Sequence, residues 1–479
     1  MENHPFSFCE NRRARKYSNI NGDGRPLSRK TLSKYVTLVS KKVRDRIKRL
    51  LPDTFGVIFD SWTHEGEHFT CIFATWTNAS GGVVYRLLSC GVQDIPDAED
   101  VHDVGFSAND YGDYFYDVLT AYGKSYMSLE FLCGDNCGVN KKLADAITSY
   151  YKEAGHDRIL PLLGCYSHRL NLAVQSLYDK HSEYGDVVHK LNALISEIRG
   201  SIKLRLKLLS VYQKQVIKAN VTRWNSQHSA IERALEWIPL LQNCGMPREV
   251  LQMVPTAAEL DLLKELSAIL KHCKDVSVFL QHEDPLKCPL HLARATFDAL
   301  IADYPSLAHH LSKDASIVHN KYFESGVIKL QRGEERQLNR LEKEALSVFK
   351  VDVTTTSSFN DDVHPLSSYV DRVIHNQPKA QKSSNYRSVN HVSSTSCICE
   401  RVFSRGKLVL TDLRGSMDPS TFEDVMILSY NDDLWDVYLV NEAEEEESKM
   451  RSDERQPQLL KPPSVEALLV DEADEADEY

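Results

Sequence analysis

The sequence predicts an α/β protein with a mixed sheet, a long helical insertion and a helical C-terminal region. Three observations predict it. Apolar runs of strand length recur between residues 55 and 134. Helical spacing takes over from about residue 182 to 350, and helical signals return after a polar stretch, VDVTTTSSFND, at 351–361.

Residues 55–59 form a nearly continuous apolar run ending at Asp60, as expected for a strand buried on both faces. HFTCIFATW and GVVYRLLSC are β-rich and separated by the turn signal TNASG, so the first three strands are expected to form an antiparallel meander. Tyr111, Phe115, Val118 and Leu119 share a helix face that leads to the strand MSLEFLCGD, and Asn136 is the expected cap of the helix after Asp135. LPLLGCYSHRLNLAVQ supplies a further short strand and helix. Three antiparallel strands followed by strand and helix alternation is the order of a ribonuclease H-like sheet. In that order the first and fourth strands are neighbours, which places Asp60 and Asp135 side by side at adjacent strand ends.

Within the helical region, Leu191, Leu194, Ile195 and Ile198 fall at helical spacing. Residues 187–223 carry 8 Lys/Arg against the lone acid Glu197. Such a face suits phosphate contacts or a solvated surface equally well. A polar run, SSTS, precedes the helix expected to carry Glu400. The chain accordingly divides into a basic head (1–50), a core (51–181), an insertion (182–350), a linker (351–361), a C-terminal region (362–440) and an acidic tail (441–479).

Composition fits a large protein with a substantial core: 479 residues, 42% hydrophobic and 26% charged. No run of about 18 apolar residues occurs and the N-terminus lacks an apolar signal region, so neither a membrane span nor secretion is expected. Several of the 11 cysteines, among them Cys71, Cys90 and Cys133, lie in apolar stretches, as buried reduced thiols of a cytosolic or nuclear protein do. The net charge of -11 conceals a polarity: residues 1–50 hold 14 Lys/Arg against 4 Asp/Glu, and residues 441–479 hold 4 against 14. The head suits a phosphate backbone or a solvated helix face. The tail is expected to be disordered.

The chemistry centres on Asp60 in TFGVIFDSWT, Asp135 in LEFLCGDNCGVN and Glu400 in SSTSCICERVFSRGKLVLTDLR. A carboxylate at the end of a buried strand is costly unless a cation or hydrogen bonds compensate it. Phosphodiester cleavage uses an oxygen nucleophile and a stabilised leaving oxygen, which two Mg²⁺ or Mn²⁺ ions about 4 Å apart can serve. Asp60 and Asp135 would bridge or flank such metals and Glu400 would complete the site. The plain alternative for each acid is a cap or a surface residue. Cys165 and His168 form a CxxH pair, but no second pair lies at finger-like spacing, so zinc is not expected. Cys133 and Cys137 read as packing residues, and Cys397 and Cys399 carry no functional reading.

FGVIFDSWTHEGEHFTCIFATW, FLCGDNCGVNKKLA, LLGCYSHRLNLAVQ, TRWNS and CERVFSRGKLVLTDLRGSMDP resemble, in order, the motifs of hAT-family transposases, and the likeness runs from TFGVIFD to YNDDLW. The resemblance implies a ribonuclease H-like core interrupted by a helical insertion, with Asp60, Asp135 and Glu400 as catalytic, metal-binding acids. It implies that Trp224 stacks on a flipped nucleotide, an interaction worth about 1–3 kcal/mol. Arg223, His168 and Trp62 would contact DNA. Phe422, Val425, Met426, Leu428 and Trp435 resemble the family's C-terminal dimerisation region, which implies a homo-oligomer. Core packing is the alternative for Trp224, Trp62, His168 and the C-terminal apolar residues. No Cys/His array in this sequence matches the BED-type zinc finger that family members usually carry. The expected function is metal-dependent, cut-and-paste DNA transposition in the nucleus. Its alternative is a non-catalytic, transposase-derived, DNA-associated dimerising regulator.

Overall fold

The computed structural model describes residues 6–10, 28–93, 106–179, 182–219, 224–282, 284–351, 385–410 and 417–455. Arg223, the linker beyond Val351, most of the basic head before Ser28, residues 362–384 and the tail beyond Arg455 lie outside the described residues.

Helix α1 (Arg29–Leu50) starts at Ser28, whose hydroxyl accepts the Thr31 N–H at 3.0 Å, and it buries Val36, Val39, Val43 and Ile47 along one face. Strands β1 (Phe55–His64), β2 (Glu67–Thr77) and β3 (Val83–Val92) follow as an antiparallel meander. Next come α2 (Ala108–Ala121), β4 (Leu129–Gly134), α3 (Gly138–Glu153), β5 (Leu162–Gly164) and α4 (Tyr166–Leu177). The sheet is mixed, in the order β3-β2-β1-β4-β5, with β4 parallel to both its neighbours. The first and fourth strands are therefore adjacent, as the element order predicts.

One boundary differs. Parallel pairing of β1 with β4 ends at Ile58↔Cys133, but pairing with β2 continues through Asp60↔Cys71 to His64↔Glu67. Asp60 thus lies within β1 rather than at its end. The extension is stabilised across the strands: Ser61 Oγ meets Thr70 Oγ1 at 3.0 Å, and Trp62 stacks on Phe69 with ring centroids 5.4 Å apart. Alternate residues face opposite ways. Phe59 and Ser61 turn to α2, where Phe115 sits edge-on to Phe59 at 5.0 Å and the Tyr111 hydroxyl donates to Ser61 Oγ at 2.9 Å. Ile58, Asp60 and Trp62 turn to the other face.

The insertion is helical, with α5 (Gly185–Gly200), α6 (Ile202–Tyr212), α7 (Trp224–Trp237), α8 (Ala257–Leu280), α9 (Leu290–Asp303) and α10 (Lys321–Gln331) joined by shorter turns. Leu191, Leu194, Ile195 and Ile198 are all buried. The basic stretch is less simply polar than its charge count suggests, because α6 exposes Ile202, Leu206 and Leu209 alongside its cations. A buried ion pair fastens the insertion to the core. Arg169 Nη1 lies 3.2 Å from Glu324 Oε1, and the same guanidinium donates to the carbonyls of His310, Leu311 and Ser312. Tyr166 OH donates to the same glutamate.

The SSTS run is buried, not solvated. Ser394 Oγ donates to the Cys288 carbonyl at 2.9 Å and Ser393 Oγ to the Thr395 carbonyl at 2.7 Å, which satisfies the polar atoms inside the core. The run leads into α11 (Cys397–Val409), followed by α12 (Pro419–Tyr430) and α13 (Val437–Arg455). Helix α13 corrects the expectation of disorder for the first part of the tail. Its Leu439 and Ala443 are buried one turn apart, and on a neighbouring face Glu442 accepts from Lys42 Nζ of α1 at 3.0 Å, with Glu446 bound to the same ammonium. No helix is long and apolar enough to cross a membrane among the described residues.

Candidate active site

Two residues beyond the last parallel pair, Ile58↔Cys133, each chain reaches an aspartate: Asp60 on β1 and Asp135 just after β4. Asp60 Oδ1 accepts the N–H of Ser61 at 2.9 Å. Burial drives its carboxyl well above the usual carboxylate range. The Ser61 N–H opposes that rise, while the negative charges of Asp135 and Glu400 add to it. The three acids therefore share one electrostatic neighbourhood.

Asp135 is oriented from the helix that follows it. Its Oδ1 accepts Asn140 Nδ2 at 2.5 Å and the Cys137 N–H at 3.3 Å. The expected cap, Asn136, does not cap α3. Cys137 does, its sulfur accepting the Asn140 N–H at 3.5 Å, whereas Asn136 Nδ2 reaches across to the Cys165 carbonyl at 3.2 Å. That reach requires Gly164, because a Cβ there would fall 1.7 Å from Asn136 Oδ1. Asn140 was not foreseen from the sequence. Its signal is its position in the first turn of the helix after Asp135.

Glu400 stands in the first turn of α11, exposed, on the sheet face to which Asp60 points. Helix α11 packs on β1 and β2. Cys399 Sγ lies 3.9 Å from the Ile58 carbonyl, and Trp62 meets Phe403 at 5.7 Å with Lys407 Nζ 5.3 Å from its ring centroid. Trp62 therefore wedges the helix carrying Glu400 against the strand carrying Asp60. At the other edge, Cys397 Sγ is 3.9 Å from Glu400 Oε1 and 3.1 Å from the Ser167 hydroxyl. The neighbouring Cys397 and Ser396 bring the Cys165 thiol below its ordinary value against the pull of burial, and the neighbouring Cys165, with burial, pushes Cys397 up.

The other predicted residues are placed as follows. His168 is half-buried in the first turn of α4, beside the Arg169 anchor. Trp224 opens α7 and is 6% exposed, so its ring belongs to the core in this conformation. Phe422, Val425, Met426 and Leu428 are buried on the chain's own sheet and α1, with Phe69 edge-on to Phe422 at 5.1 Å. Half-buried Trp435 donates its indole N–H to the Leu428 carbonyl at 2.9 Å. These five side chains serve internal packing, and none is a large exposed apolar surface. His319, from the insertion, lies within electrostatic reach of Lys141, Asp145 and Asp135. It has an unpartnered buried Nε2, its pKa is lowered by burial, and nothing in its local sequence marks it.

Among the described residues, no group of three or more His, Cys, Asp or Glu side chains is already gathered closely enough to hold a metal ion. No family model matches this chain, and a search of curated proteins finds no significant match.

Proposed function

We propose that this chain is a hAT-like DNA transposase with a ribonuclease H-like core, cleaving and joining DNA at Asp60, Asp135 and Glu400. The observation that carries the reading is the placement of three carboxylates from distant parts of the sequence around one end of the sheet, short of a closed metal cage. Asp60 lies on β1 and Asp135 just after the adjacent parallel strand β4, and Glu400 lies on a helix packed on the sheet face to which Asp60 points. The sheet order, three antiparallel strands and then two parallel ones, agrees with the proposed fold.

The donor set fits a divalent cation in kind: three hard carboxylates, of which Asp60 is held against burial and like charge. Both aspartates are oriented by hydrogen bonds to Oδ1, and Asp60, Asp135 and Glu400 are the residues that would hold Mg²⁺ or Mn²⁺. Because the acids are not gathered into a cage, binding has to draw them together against their mutual repulsion. When bound, such ions activate an oxygen nucleophile and stabilise the leaving oxygen. The chain's own contribution is orientation. Asn140 and the Cys137 N–H fix Asp135, the Ser61 N–H fixes Asp60, and Trp62 holds α11 in register with β1. Lys407 on α11 supplies a cation beside Trp62 for a phosphate backbone.

A second reading, a transposase-derived DNA-associated regulator without catalysis, is favoured by the ungathered acids and by the burial of Trp224. One experiment separates them: Mn²⁺-dependent nicking and strand joining of plasmid DNA by the purified protein, beside Asp135→Asn and Glu400→Gln. The transposase reading expects activity that both variants lose by about a hundredfold or more. Activity equal in all three, or DNA binding without cleavage in any, overturns it in favour of the regulator.

A further inference from the structure

All eleven cysteines are free thiols. Two of them join the segments that flank Glu400. Cys165 follows β5 and stands at the N-cap of α4, and Cys397 is the first residue of α11. The Ser396 N–H donates to Cys165 Sγ at 3.3 Å, and the Ser167 hydroxyl meets Cys397 Sγ at 3.1 Å, so each sulfur is held by the other's segment. The Tyr166 N–H adds a backbone bond to the Ser394 carbonyl at 3.0 Å. These clasps hold the two cysteine-bearing segments directly against each other.

Their position differs from that of the sheet-core thiols Cys71, Cys90 and Cys399. Cys71 and Cys90 face each other across β2 and β3, with Cys399 against them, inside the sheet core. Cys165 and Cys397 are also buried, at 1% and 3%, but Cys397 Sγ is 3.9 Å from Glu400, whose side chain is exposed.

We propose that Cys165 and Cys397 are an oxidisable dithiol, which hydrogen peroxide closes to a disulfide that locks α11 to α4 beside Glu400. In the first step one sulfur bonds to a peroxide oxygen as the O–O bond breaks, leaving a sulfenic acid and one water. In the second, the other sulfur displaces hydroxide from the sulfenic sulfur, and its proton leaves with that hydroxide as a second water. Two thiols are oxidised and one peroxide is reduced. In a reducing compartment such a bond is transient and of the sensing type. Formation of the bond is independent of the nuclease reading; its effect on catalysis rests on that reading.

The test is peptide mapping of the full-length, reduced protein after exposure to hydrogen peroxide, alkylation of the remaining thiols and non-reducing digestion. The expected product is a linked pair of peptides joining Cys165 to Cys397, two hydrogens lighter than the separate thiols. It disappears on reduction and in Cys397→Ser, and accounts for most of the Cys165 signal. Recovery of both residues as alkylated thiols, their separate over-oxidation, or pairing of Cys165 elsewhere overturns the proposal. The mapping needs no variant, so a Cys397→Ser chain that fails to fold leaves it decisive. Amide hydrogen exchange reads the lock itself: exchange along α11 slows on oxidation of the wild type, and unchanged exchange with the bond formed refutes the locking.

Discussion

Half-buried Asp60 and buried Glu130 are two carboxyls with opposite pH behaviour. Burial and the neighbouring acids raise Asp60, so above the usual aspartate value, about 3.9, the folded chain keeps a proton that the unfolded chain releases. Stability therefore falls as pH rises from there through the folded value. Asp60→Asn should escape that loss and be more stable than the wild type near neutral pH without divalent cations. Mn²⁺ should stabilise the wild type, by about 2.7 kcal/mol at a hundredfold excess over Kd, and the variant much less. Thermal melts with and without Mn²⁺ check both, and identical melts throughout would remove the cation site. At Glu130 burial is outweighed by His391 and Arg387, each 2.7 Å away, and by the Thr54 hydroxyl at 2.8 Å, so the carboxyl sits below its usual value. Its stabilisation is complete above the ordinary glutamate value, about 4.3, and is lost as pH falls through the folded value. Glu130→Gln should cost about 3 kcal/mol in urea unfolding at pH 7, because it breaks a buried charged network.

Helix α11 is held against β1 by Trp62 and follows the buried SSTS run. Trp62→Ala should destabilise the protein by about 2–3 kcal/mol before any nucleic acid is added, since it opens a gap between β1 and α11, whereas Trp62→Phe should retain most of the stability. Denaturant unfolding decides this, and a silent Trp62→Ala would mean the ring is free for another partner. The same elements show what the sequence made legible. Apolar runs and turn signals were sufficient for the meander and for the adjacency of β1 and β4, because they reflect burial directly. The continuation of β1 past Asp60 was not, because Ser61 and Thr63 are held by partners from β2 and α2 that local sequence does not name. Asn136 has the better capping side chain, yet Gly164 opens a space that draws it to Cys165 and leaves the cap to Cys137. The placement of Asp60 and Asp135 followed from topology, while Asn140, His319 and the Cys165–Cys397 contact are tertiary and had no local signature.

Across the whole molecule, the basic head and the acidic tail are partners rather than separate ends. On α1, Lys42 binds Glu442 and Glu446, Arg44 lies 3.4 Å from Glu423 and 3.2 Å from Asp424, and Arg46 donates to the Leu434 carbonyl at 2.8 Å. Arg29, Lys30, Lys41, Lys48 and Arg49 remain exposed. If α1 follows a phosphate backbone, α13 holds back the cation it has already paired. Replacing Glu442 and Glu446 by Gln should then tighten non-specific DNA binding several-fold at low salt. It should also steepen the dependence of log affinity on log salt by about one, the contribution of one freed lysine. Exposed ion pairs contribute little to the fold, so the melting temperature should hardly move and the effect can be assigned to DNA. Adding Lys42→Gln to the double variant should return the slope to its original value. Equal slopes in wild type and double variant would mean that α1 does not touch phosphate, and that the charge polarity serves only to dock α13 on the core.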